Sequence, residues 1–237
     1  MRVLVTRPQE SAARTAGLLE ERGHEPVLLP LFRAEHDVAA ASSATDHPAS
    51  ALIVTSAEAI RAIAAANTLP ASFLSLPVFA VGGKTADAAR KAGFARAIAA
   101  NGDGAALADL IAAHLTNASK TPLLYLAGEP RSPALEEALD RLDLPARTVT
   151  VYRMQPIDYS FAELNAVFAA PIDAVLLYSY ETARRFFALL DGLDGTPGIA
   201  ARFLCLSAKV AEAVPPVYAN RINVAKTPSE HSLLALL

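Results

Sequence analysis

Short, largely apolar or β-branched runs recur along the chain at 3–6, 27–29, 52–54, 78–81, 97–99, 123–126, 148–151, 174–177, 203–206 and 222–224. Between them, apolar residues return at helical spacing: Ala12, Ala16 and Leu19; Ile60, Ile63 and Ala64; Leu107, Leu110, Ile111 and Leu115; Ala183, Phe186 and Leu190. Gly23 follows the first of these stretches, and Gly93 follows a helix predicted from Thr85, so a helix stop is expected at each. Ser132-Pro133 predicts a helix start, with serine at N-cap and proline at N1. Further helices are predicted around 161–168, from Ser229, and ending before Pro215-Pro216. Residues 34–50, small and polar, read as a loop or weak helix. Strands that are apolar without alternation are covered on both faces, and their alternation with helices implies parallel sheets. The fold class is α/β.

Two strands leave their sheets oddly. The stretch 148–156, TVTVYRMQP, begins with β-branched residues and runs through Tyr152-Arg153 into Pro156; a similar exit lies at 26–35, PVLLPLFRAE. An internal echo relates them. Val81-Gly-Gly-Lys-Thr-Ala-Asp-Ala aligns with Leu206-Ser-Ala-Lys-Val-Ala-Glu-Ala, 125 residues on; Thr55-Ser-Ala-Glu with Tyr178-Ser-Tyr-Glu, 123 on; and run 3–6 with run 123–126. The chain therefore reads as two copies of a five-strand, flavodoxin-like unit, with equivalent exits after the second strand of each. Crossing at both points gives one discontinuous domain, 1–33 with 157–237, and one inserted domain, 36–152. The linkers fall at about 30–36 and 152–157, and the two extended exits could pair as a two-stranded antiparallel ladder. Side-by-side halves split near residue 120 stay open on sequence alone; Pro30 and Pro156 favour the crossed version. In either arrangement, ligands of open α/β sheets bind at the carboxyl ends of strands, and two such edges would face a cleft, with Tyr152 turned toward it.

Composition narrows the function. A balance of 53% apolar and 19% charged residues is that of a folded globular chain, and a net charge of −3 leaves no basic stripe for nucleic acid. No run reaches membrane-spanning length and the N-terminus lacks a signal-peptide pattern, so a cytoplasmic protein without membrane partners is expected. The lone cysteine, Cys205, sits in an apolar run with nothing to lower its pKa, so an inert thiol is expected. His24, His36, His47, His114 and His231 have no ligand spacing, so neither a metal site nor a histidine base is indicated. Paired carboxylates such as Glu136-Glu137 fall on faces expected to be exposed. Gly83-Lys84-Thr85 resembles the end of a phosphate loop, but position 78, where that motif needs glycine, is valine. The strand-end loops remain: Arg7, Thr55-Ser56, Gly82-Gly83-Lys84-Thr85, Gly128-Glu129-Pro130-Arg131, Ser179 and Ser207. Small residues there leave backbone N–H groups free at helix starts, which suits anions, although each of them could simply cap its helix. A large, flexible polyanion fits such a lining better than a hydrolytic reaction does.

The segments VLVTRP, TSAEAI, VGGKTADAARKAG, LLYLAGEPRSPALEEAL, VYRMQP and LLYSYETARRF, in this order and spacing, resemble uroporphyrinogen-III synthases over essentially the whole chain. The resemblance implies two similar α/β domains joined by a two-stranded linker, and no metal or organic cofactor. It implies an enzyme of tetrapyrrole biosynthesis that cyclises hydroxymethylbilane to uroporphyrinogen III with inversion of ring D and loss of water. Tyr152 matches the family tyrosine suggested to assist departure of the hydroxyl, and Thr85 matches a threonine of the substrate cleft. Arg7, Thr55, Ser56, Gly82, Gly83, Gly128, Arg131, Ser179 and Ser207 are the other expected substrate contacts. Val210 stands where the family often has a threonine, so a hydroxyl contact from the second repeat is in doubt, unless Ser207 replaces it. A monomer is expected. A non-catalytic two-domain binding or sensor module is the competing reading.

Overall fold

In the computed structural model, residues 1–66, 69–100, 102–115, 121–191 and 200–237 are described. In chain order the elements begin β1 (Arg2–Val5), α1 (Gln9–Glu20), β2 (Glu25–Leu28), β3 (Phe32–His36), α2 (Val38–Ala44), β4 (Leu52–Val54), α3 (Ala57–Ala66) and α4 (Ala71–Leu74). They continue with β5 (Val78–Ala80), α5 (Gly83–Lys91), β6 (Ala97–Ala99), α6 (Gly104–His114), β7 (Leu123–Glu129), α7 (Ala134–Arg141) and β8 (Ala146–Pro156). The rest are α8 (Phe161–Phe168), β9 (Ala174–Leu177), α9 (Tyr180–Asp191), β10 (Arg202–Cys205), α10 (Ala208–Ala211), β11 (Ile222–Val224) and α11 (Glu230–Leu234).

The chain divides into two compact units: unit 1 is 1–33 with 155–237, and unit 2 is 34–154. Unit 1 holds a five-stranded sheet of order β11-β10-β9-β1-β2, parallel throughout. Its two cores lie on opposite sheet faces. Leu4, Val175, Leu177, Phe203 and Cys205 face one with Phe186 and Phe187 of α9; Val3, Val5, Ala174, Leu176 and Leu204 face the other with Leu19 of α1 and Leu233 of α11. This two-sided burial is the reason the central strands β1, β9 and β10 carry unbroken apolar cores, whereas the edge strands β2 and β11 are partly exposed.

Unit 2 is built around the order β3-β8-β7-β4-β5-β6. Residues alternate between two cores here as well: Leu52, Val54, Leu124 and Leu126 pack with α3 and α5, whereas Ile53, Leu123, Tyr125 and Ala127 pack with α6 and α7. The pairings from β6 to β8 are parallel. Between β3 and β8 the sense reverses. Asp37 N donates to Val151 O and Ile157 N donates to Leu31 O, so rising numbers on one strand meet falling numbers on the other.

Three local features depart from the sequence reading. The region from Ala34 is a strand followed by a helix: Asp37 caps α2 by accepting from Ala40 N, and α2 buries Ala41 and Ala44. Strand β8 does not end near Tyr152 but runs on to Pro156, because it exchanges its partner β7 for β3. Helix α7 starts one residue late, with Pro133 at N-cap and Ser132 Oγ accepting from Ala134 N at 3.3 Å.

Candidate functional site

A pocket of about 400 Å³ opens within unit 2 at the carboxyl ends of β4, β5 and β7. Tyr125 and Tyr152 line it with Thr55, Ser56, Val81, Gly128 and Arg131; Asp103 and Gly104 at the start of α6, with Pro130, Ser132, Ala134 and Leu135, complete it. The location follows from topology, since parallel strands present their carboxyl ends and the following helix starts on one edge.

Tyr152 reaches this pocket through a bulge. Along β7 and β8, Leu126 pairs with Val149 and Ala127 with Thr150, but Gly128 pairs with Tyr152, leaving Val151 extra. Strict alternation would put Tyr152 on the same face as Thr148 and Thr150, toward α7, where Thr148 Oγ1 donates to Glu136. The extra residue turns Tyr152 onto the opposite face, into the core shared with α3. The ring then crosses Gly128. A Cβ built there would lie 2.7 Å from Tyr152 Cε1 and overlap Cζ and the hydroxyl, so glycine is required by close approach.

Two phenols and two ion pairs set the electrostatics. Tyr125, fully enclosed, shares a 3.1 Å hydrogen bond with Thr55 Oγ1, and burial raises its pKa more than that bond lowers it. Tyr152 is 8% exposed; burial lifts its phenol above the ordinary value of 10.0, the Ser56 side chain, which lines the same pocket, opposes this, and Glu58 adds to it. Both side chains are therefore neutral donors at physiological pH. At the rim, Arg131 is not a bare cation. Its Nε and one terminal nitrogen donate to Glu136 at 3.1 Å each, with Thr150 Oγ1 at 3.4 Å from the other. That pairing, with the Thr148 bond, holds the Glu136 carboxyl below its ordinary value. Glu136 thus faces a partner, not open solvent. Behind Ser56, Glu58 accepts from His36 at 2.6 Å and also from Arg61; burial pushes its carboxyl up, but these partners more than offset it.

Of the residues singled out in the sequence, Thr55, Ser56, Gly128, Arg131 and Tyr152 come together in this pocket. Gly82 and Gly83 lie at the N-terminus of α5, outside the lining, and the Thr85 side chain is buried in the first turn of that helix. The other three lie in unit 1. Arg7 donates to Glu230 at 2.7 Å and stacks its guanidinium 4.1 Å from the Tyr178 ring centre; Ser179 caps α9 by accepting from Thr182 N; Ser207 occupies the N-cap of α10. Val210, where a threonine would be usual, packs in the core. Burial pushes the Cys205 thiol up to about 12, which leaves it inert. Sequence reasoning missed Tyr125 and Asp103. The signal for Tyr125 was a phenol near the end of an otherwise aliphatic strand, and for Asp103 an aspartate just before a helical apolar pattern. Among the described residues no group of three or more His, Cys, Asp or Glu could hold a metal ion, and no helix is long and apolar enough to cross a membrane.

Comparison with known proteins gives this geometry a family. The structure of uroporphyrinogen-III synthetase from Helicobacter pylori 26695 matches with a TM-score of 0.66 at 18% identity, covering 100% of this chain and 98% of that one. A mutant uroporphyrinogen III synthase from the extremely thermophilic bacterium Thermus thermophilus matches with a TM-score of 0.56 at 19% identity, covering 99% and 96%. At such identities the likeness establishes the fold alone. No curated protein sequence matches. A family model described as uroporphyrinogen-III synthase HemD matches residues 13–235, nearly the whole chain, and this chain therefore belongs to the uroporphyrinogen-III synthase family.

Proposed function

We propose that this protein cyclises hydroxymethylbilane to uroporphyrinogen III, inverting ring D and releasing water, as a lyase of haem and other tetrapyrrole biosynthesis. The observation that carries the reading is the family match across residues 13–235; it favours a synthase over a non-catalytic binding module. The unit 2 pocket supports the reading chemically. It offers neutral hydroxyl donors against a wall of aromatic carbon, which suits one pyrrole ring bearing carboxylate side chains.

In this mechanism the terminal hydroxyl leaves as water while the electrons of the adjacent pyrrole close an exocyclic double bond, giving an azafulvene. The last ring attacks that carbon through the α position that already carries its bridging methylene, giving a spirocyclic pyrrolenine. That older ring–methylene bond then breaks, and the methylene bonds to the ring's free α position, which loses its proton, so the ring is inverted as the macrocycle closes. Tyr152, a phenol kept protonated by its burial, donates to the departing oxygen. Much of the remaining rate comes from holding a flexible linear substrate in a geometry that can close. Thr55, Ser56, Gly82, Gly83, Thr85, Gly128 and Arg131 in unit 2, and Arg7, Ser179 and Ser207 in unit 1, contact the substrate on this reading. Backbone amides and hydroxyls take most of its carboxylates, since Arg131 and Arg7 each already hold a glutamate. The protein acts as a cytoplasmic monomer without a cofactor.

A coupled assay that generates hydroxymethylbilane in situ tests the proposal directly. Isomer III, separated by chromatography after oxidation, should form in excess over isomer I. Only isomer I, at the spontaneous rate, would end the synthase reading.

A further inference from the structure

The spacing of the histidines along the chain leaves His36 without a role; the fold gives it one. Its place in the β3–β8 ladder follows from the flanking bonds Asp37 N to Val151 O and Ile157 N to Leu31 O, which set His36 opposite Tyr152. Opposed residues of an antiparallel pair project on the same face. From there His36 Nε2 reaches Glu58 Oε1 at 2.6 Å, in the first turn of α3. Glu58 is a carboxylate, so at this distance Nε2 must carry the proton and donate. Arg61, one turn further on, holds the other Glu58 oxygen. The Glu58 N–H in turn donates to Ser56 Oγ at 3.1 Å, and the Ser56 hydroxyl lies beside the Tyr152 phenol. Tyr152 is thus bracketed: by its own backbone on β8, paired with β3, and at its hydroxyl by a serine whose turn is tied back to β3 through Glu58 and His36.

We propose that His36 and Glu58 are positioning residues for Tyr152, their hydrogen bond fixing the Ser56 turn of α3 against β3 so that the phenol is held at one orientation in the pocket. Both side chains are only partly exposed, 25% for His36 and 17% for Glu58. The bond is charge-assisted and shielded, which makes it stiffer than a surface pair. This inference rests on the assignment of Tyr152 to hydroxyl departure, and its test separates the two.

Kinetics with freshly made hydroxymethylbilane should show His36→Ala lowering kcat roughly ten- to a hundredfold, the scale of one lost hydrogen bond to a charged group, with KM changed less than about twofold. His36→Gln, which keeps a donor, should recover most of the loss. In a Tyr152→Phe background His36→Ala should add almost nothing, because both changes remove the same contribution. An equal further loss there would mean that His36 acts otherwise, and would overturn the proposal. A readout independent of catalysis comes from protein labelled with 13C at tyrosine Cζ. The resonance missing in Tyr152→Phe belongs to Tyr152, and His36→Ala should move it while leaving the other five tyrosines in place. An unmoved resonance overturns the positioning role even if activity falls. If Tyr152→Phe proves fully active while His36→Ala still moves the resonance, the positioning stands and the catalytic role of Tyr152 fails.

Discussion

At the scale of single residues, the site depends on one backbone position having no side chain. Gly128 is buried under the Tyr152 ring, whose atoms occupy the space a Cβ would take. Gly128→Ala forces ring or strand to move, an overpacking change expected to cost about 1–3 kcal/mol and to displace the phenol from Ser56. Thermal melts should show the destabilisation, and kcat should fall at least as far as in Tyr152→Phe; full activity with an unchanged melting temperature would contradict the close approach. Tyr152→Phe itself removes only the hydroxyl from an otherwise unaltered ring. The melting temperature should therefore change little, while kcat drops by about two orders of magnitude if proton donation carries a typical share of the rate. The pH dependence has a definite sign. Burial raises the phenol above 10.0, so the donating form is fully populated below that value and is lost only as pH rises through the raised one. The rate difference between wild type and Tyr152→Phe should accordingly stay flat from neutral pH to about pH 10. A decline centred near neutrality would point to another group as the donor.

At the scale of elements, the repeated strand–helix units were legible because the central strands, such as β4, β5, β7 and β9, are buried on both faces and so carry apolar runs. Helices with large apolar residues, such as α9 with Phe186 and Leu190, could be read from spacing; α2 could not, since Ala41 and Ala44 give almost no hydrophobic contrast to count. Strand-end residues were legible as a class, which is how Thr55, Ser56, Gly128 and Arg131 were found. Two things were not: the bulge at Val151, which decides the face Tyr152 occupies, and the pairing of His36 with Glu58, which spans two elements with no shared motif. Asp103 was missed for a related reason, as a cap is silent until the helix start is known. It accepts from Ala105 N at 3.0 Å and Ala106 N at 3.2 Å at the pocket edge. Asp103→Ala should cost about 0.5–2 kcal/mol by chemical denaturation, whereas Asp103→Asn, still an acceptor, should cost much less. Equal losses in the two variants would show that the charge, not the cap, matters.

At the scale of the whole molecule, the chain builds its two units in different ways, and the difference is measurable. Unit 2 is a single continuous stretch, and both of its cores, one on each sheet face, consist only of residues between 34 and 154. Unit 1 needs both ends of the chain. Its strand β1 lies between β2, from the same segment, and β9, from a segment beginning more than a hundred residues later. A fragment spanning 32–156, which keeps β3 and β8 entire, therefore retains every strand of its sheet and the apolar surface that stabilises it. Domains of this size commonly bury enough surface to fold alone. It should unfold cooperatively in urea with a slope of about 1–3 kcal/mol/M, and give the near-ultraviolet circular dichroism of fixed aromatic side chains. The fragment 1–33 should show neither property, because without β9 the apolar faces of Val3, Leu4 and Val5 have no cores to enter. Joining 155–237 to 1–33 through a short flexible linker should restore a cooperative transition, since it reassembles all five strands of that sheet. A 32–156 fragment that melts without a transition, or binds dyes as a collapsed globule does, would mean that its two cores are insufficient and that stability is shared across the full chain.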